Sequence, residues 1–157
     1  MNQHVITSPD KESTIVIDKG ELISYSKFGE ELIHQKGDPG WRNADTEMFP
    51  IIGPTEDNDF MVETERGEAV QDQHGLLREL AYSVVNETDH SIVYSKTYTK
   101  NTLVKNSKYP DKSTKKTVSW PCSFMFSKKF NVSDGALKIE FLVEAEPGMP
   151  YMLGYHP

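Results

Sequence analysis

A single cysteine is all the sequence holds, so no disulfide can form within the chain and a stapled extracellular scaffold is excluded. Nothing near Cys122 favours an activated thiolate, and it reads as a small buried core residue. Apolar runs of the roughly 18 residues that a membrane span requires are missing. The opening MNQHVITSPDKEST lacks the basic start and apolar stretch of an export signal. These absences point to a cytoplasmic protein with no membrane partner. Positive charge is short as well: 17 Lys and Arg stand against 24 Asp and Glu, a formal net charge of -7. A nucleic-acid partner is disfavoured, because such a surface must replace counterions on phosphate. The five histidines, His4, His34, His74, His90 and His156, show no HExxH or other close ligand spacing, so no metal centre is read.

Helical periodicity is scarce, and strand signals fill its place. From Thr14 to Ile33, β-branched and aromatic bursts are broken by Lys19-Gly20 and Gly29-Glu30, as in successive hairpins. Between Ala136 and Glu146, Leu137, Ile139, Phe141, Val143 and Ala145 alternate with mostly charged neighbours. That period of two predicts one buried and one solvated face. Further strands are expected over Leu76–Val85, Ser91–Thr99 and Cys122–Val132, with turns at Asn86–Asp89 and Ser133-Asp134-Gly135. The pattern predicts an all-β, antiparallel β-sandwich, with residues 1–157 forming a single domain. The lysine-rich stretch Lys100–Lys116 has no stacking aromatic pattern and reads as a solvated loop or sheet edge.

Three segments stand apart. In Asp38–Trp41 and Met48–Pro54, Pro and Gly punctuate an apolar, aromatic run. It is either a buried turn-rich loop or a wall for a sugar ring, with Trp41 and Phe49 supplying the apolar surface. In Gln73–Glu79, Gly75 beside His74 permits close backbone approach. If the segment is extended, His74 and Arg78 share a face; an ion pair between Arg78 and Glu79 is the structural alternative. At the end of the chain, Gly154 and Pro157 bias His156 toward a fixed extended geometry.

In this order, the run from Trp41 through Met48-Phe49-Pro50-Ile51-Ile52-Gly53, the H-G-x-x-R from His74 and the G-Y-H-P from Gly154 resemble the aldose 1-epimerase (galactose mutarotase-like) family. The resemblance covers Lys19 to Pro157. It implies the β-supersandwich fold, of which this chain would be the N-terminal portion, and a cofactor-independent interconversion of the α and β anomers of an aldose. It further implies His156 as general acid for the ring oxygen, His74 as a hydrogen-bonding partner near the anomeric centre, and Arg78 as a group that binds hydroxyls or an anion. The partner is then a hexose or a sugar phosphate. The family's general base, a glutamate, falls in a second half, so these 157 residues are expected to be nearly inactive alone. Glu144 and Glu146 fit the solvated strand face better than a substitute base. Two other readings remain open: a non-catalytic carbohydrate-binding β-sandwich module, and a fragment that forms homo-oligomers through exposed strand edges.

Overall fold

Successive side chains on a strand face opposite ways, so a chain rich in period-two segments is stable only when its apolar faces press together. The computed structural model describes residues 3–40 and 43–157. Among these the chain first forms β1 (Gln3–Thr7), β2 (Ser13–Asp18), β3 (Glu21–Lys27), β4 (Glu30–Glu31) and β5 (Thr46–Met48). There follow β6 (Met61–Thr64), β7 (Gly67–Val70), β8 (Ser83–Thr88), β9 (Ser91–Tyr98) and β10 (Val104–Lys105). The last are β11 (Thr117–Val118), β12 (Phe124–Ser133), β13 (Ala136–Ala145) and β14 (Gly154–His156). The only helical elements among the described residues are two 3-10 turns, Glu56–Asn58 and Leu77–Glu79, and no helix is long and apolar enough to cross a membrane.

One sheet has the order β1-β2-β3-β4 and the other β13-β12-β9-β8; β14 with β5, β6 with β7, and β10 with β11 form two-stranded ribbons. Every strand pairing is antiparallel, so the fold is the all-β sandwich the sequence predicts. Lys19-Gly20 and Phe28-Gly29 join β2 to β3 and β3 to β4, with positive φ at both residues of each pair. That backbone matches the right-handed twist of the flanking strands.

The segment Leu76–Val85 departs from expectation. Its first part forms the Leu77–Glu79 turn because Leu77 is buried and its N–H donates to Phe49 O at 3.0 Å. The strand starts only at Ser83 and runs to Thr88, through residues read as a turn, with a bulge between Val84 and Asn86 and a tight reversal before Ser91.

The inner face of β12 organises the core. Phe124, Phe126, Phe130 and Val132 all point inward. Phe130 and Val132 meet Ile6, Ile15, Ile17 and Leu22 of the opposing sheet. Phe124 and Phe126 meet a layer of loops carrying Phe49, Leu76, Leu77 and Trp120. Burying each such ring contributes about 1.5–3 kcal/mol.

Between these apolar blocks, at the same inward parity, lies Lys128, with 0% exposure. Its ammonium is paired with Asp45 and Glu47 and donates to Gly20 O at 3.2 Å. Tyr155 donates to Asp45 at 3.0 Å. Burial, reinforced by Glu47, pushes the Asp45 carboxyl up to about 6 against the opposing pull of Lys128. The folded state therefore keeps a proton that the unfolded chain releases from about pH 4, and the contribution of this group to stability falls as pH rises through that window to about 6. The stability of wild type relative to Asp45→Asn should accordingly drop by roughly 2–3 kcal/mol between pH 4 and pH 7 in urea titrations. A difference flat with pH would mean that Asp45 ionises in the fold as freely as in the unfolded chain.

Candidate functional site

Three loop and strand segments are tied together through main-chain bonds. Phe49 N donates to His74 O at 3.2 Å, Gly53 N to Gln73 O at 2.9 Å, and Met152 N to Pro50 O at 2.8 Å. Gly75 has φ +73°, and a Cβ there would stand 2.2 Å from Phe49 O. Only glycine lets the two backbones approach this closely. Downstream, β14 pairs with β5, placing His156 opposite Thr46 and Tyr155 opposite Glu47. The alternation turns Tyr155 and Glu47 toward the Lys128 seam and leaves His156 and Thr46 on the other face.

That face borders a cavity of about 1040 Å³ lined by His74, His156, Arg78, Thr46, Met48 and Lys108, among others. His74 and Arg78 thus come together, although not across an extended strand. The 3-10 turn folds the guanidinium back, with Nη1 3.3 Å from His74 Nδ1. Arginine has no acceptor, so Arg78 donates and Nδ1 is the unprotonated nitrogen. The neutral ring then carries its proton on Nε2. Gln73 Nε2 lies 3.3 Å from that nitrogen. Burial first, then the charges of Arg78 and Lys108, hold the His74 pKa below the ordinary histidine value, with Asp72 pulling the other way. His156 acts on it in the same direction as the two cations, as a second imidazole on the same cavity would.

Asp72 anchors the cations. It accepts from His74 N at 2.8 Å, pairs with Arg78, and lies 3.5 Å from Lys108 Nζ. Arg78 Nε is also 3.7 Å from Glu79, so the ion pair weighed as the structural alternative is present as a minor contact. Arg78→Gln should let the His74 pKa rise toward its ordinary value, observable as an upward shift in an NMR titration of the ring. An unchanged midpoint would assign the depression to burial and the remaining charges, without Arg78.

Phe49 corrects an expectation. Its ring is 0% exposed and packs 4.9 Å, centroid to centroid, from Phe124 and 5.4 Å from Tyr151. It is a core residue whose backbone, not side chain, shapes the site. Trp41 lies outside the described residues. Glu144 is exposed on β13, and Glu146 accepts from Ser123 N at 3.0 Å, so neither faces the cavity. The lysine-rich stretch is not wholly solvated: Lys108 and Lys112 line the cavity. Burial, then Arg78, lowers the Lys108 pKa. Asp72 and Lys108 are the residues that sequence reasoning missed. Only the closeness of Asp72 to His74 along the chain hinted at either.

The two sheets and their loop layer have the fold of galactose mutarotase-like proteins of known structure. The chain superposes on a galactose mutarotase related enzyme from Lactobacillus acidophilus with TM-score 0.72 and 22% identity, over 99% of this chain and 48% of that one. It matches a galactose mutarotase-like protein from Lactobacillus casei with TM-score 0.73 and 20% identity, over 98% and 49% of the two chains. For a candidate aldose 1-epimerase from Escherichia coli K12 the TM-score is 0.69 and the identity 12%, over 99% and 52%. The chain therefore spans about half the length of these structures. No protein-family model matches it, and neither does any curated protein.

Proposed function

We propose that the protein interconverts the α and β anomers of an aldose by acid–base ring opening. The observation that carries this reading is the convergence of His74 and His156, from separate segments, on one cavity. Opening a cyclic hemiacetal requires removal of the anomeric hydroxyl proton and protonation of the ring oxygen. The C1–O5 bond then breaks, C1–C2 rotates and the ring recloses. His156 gives the proton to the ring oxygen, a task for which imidazole is suited near neutral pH. His74, on the same cavity, hydrogen-bonds the same region of the sugar. A carboxylate outside these 157 residues takes the anomeric proton, as the resemblance implies.

Arg78, Lys108 and Lys112 bring cationic donors to the cavity beside the carboxylates of Glu56, Asp57, Asp59 and Asp111, and these cations are the groups that would take the phosphate of a phosphorylated hexose, which the reading prefers over a neutral one. Polarimetry with the full-length gene product tests both claims. Freshly dissolved α-glucose, α-galactose and α-glucose 6-phosphate should lose optical rotation faster than in buffer, the phosphate ester fastest. Decay at the spontaneous rate for all three would remove the reading; equal acceleration would remove only the preference for phosphate.

A further inference from the structure

Two lysines are buried on the inward face of adjacent strands, and their surroundings differ. Lys128 has two carboxylates. Lys96, on β9 and 5% exposed, donates to Leu77 O at 2.9 Å and sits 4.0 Å from the centroid of the Tyr82 ring. A main-chain carbonyl and a π face compensate a buried ammonium less well than an anion does.

Every element around Lys96 bears on its charge. Burial is the largest influence, and Lys128 on β12 adds to it; Glu47 and Asp45 from the β5 side and Glu79 from the 3-10 turn oppose them. The balance brings the Lys96 ammonium down to about 8, so far more of it is free amine near neutral pH than of an ordinary lysine, although the ammonium still predominates. Lys96 also lines a second cavity, of about 710 Å³, together with Tyr82, Tyr94 and Asp45. This cavity adjoins the one that holds the histidines, since Asn43, Thr46 and Arg78 border both.

We propose that Lys96 is a carbonyl-reactive amine, and that small aldehydes, including the open-chain form of a sugar, enter the second cavity and condense with it as a Schiff base. The Nζ lone pair adds to the carbonyl carbon, the oxygen gains a proton and the nitrogen loses one, giving a carbinolamine. The hydroxyl departs with a further proton as water, leaving C=N. Water is the only by-product and no oxidant is required. Tyr82, whose phenol burial and Glu47 keep protonated, lines the cavity as a hydrogen-bond donor to the carbonyl oxygen rather than as its acid. The condensation is independent of mutarotation at His156, because any small aldehyde serves.

Reductive trapping tests this. The full-length protein is incubated with glycolaldehyde and cyanoborohydride at pH 7.5, digested, and the adducts located by mass spectrometry. The Lys96 peptide should be modified at least about tenfold faster than that of the exposed Lys138, because an amine near pKa 8 holds far more free base than an ordinary lysine. The rate should rise with a midpoint near pH 8, and the selectivity should vanish in urea. Lys96→Arg keeps the charge and should abolish that adduct with an unchanged circular dichroism spectrum. Labelling of Lys96 no faster than Lys138 in the folded protein, or selectivity that survives in urea, overturns the proposal.

Discussion

Lys128→Met should cost the fold about 3–5 kcal/mol, the range found when one member of a buried ion pair is removed. The substitution conserves bulk and apolar stem, so the loss is electrostatic. Asp45 and Glu47 would be left facing one another in a seam closed by Tyr155 and the β12 sheet. Without the ammonium, the Asp45 carboxyl, already up at about 6, must rise further, and keeping it ionised at neutral pH becomes costlier. The defect should therefore be larger at pH 8 than at pH 5, which urea unfolding at the two pH values would measure. Replacing both carboxylates together with Lys128 by apolar residues should restore most of the loss, because an all-apolar seam has no charge to desolvate. A single mutant with wild-type stability at pH 8 would show that the cluster is solvated.

His156→Ala should lower kcat of the full-length protein by about 10²–10⁴, the contribution typical of a positioned general acid. KM for the sugar should change little if His156 acts chiefly in the transition state. His74→Ala should instead raise KM with little change in kcat, since a hydrogen bond held equally before and during ring opening is uniform binding. Circular dichroism is the necessary control, because β14 is only three residues long and is held by β5. Equal polarimetric rates for wild type and His156→Ala, with the fold intact, would remove the proposed acid.

The sandwich was legible because pleated strands write their burial directly into sequence. Leu137, Ile139, Phe141 and Val143 announce β13, and the Lys19-Gly20 pair announces a turn that requires positive φ. The seam was also visible in principle: the inward positions of β12 read Phe, Phe, Lys, Phe, Val, and a lysine among core aromatics demands a partner. Its partners were not legible, since Asp45 and Glu47 reach it from a segment more than 80 residues away. The site divides in the same way. His74, His156 and Arg78 come from motifs, whereas Lys108 was hidden in a charged run whose composition is that of a solvated loop. Phe49 misled because an aromatic beside a proline looks like a ligand wall, yet the neighbouring loop uses its carbonyl and leaves the ring to the core.

The clamp between Phe49 and the His74–Gly75 loop bears on how such a protein can change over generations. Its bonds run from peptide to peptide, and a peptide group is the one part of a residue that substitution leaves in place. Side chains around the cavity can therefore be exchanged without releasing the segment that carries His74. The exception is Gly75, where the smallest added group would strike the carbonyl of Phe49. That position should tolerate no other residue in a random mutational screen, even though a glycine offers a sugar nothing to bind.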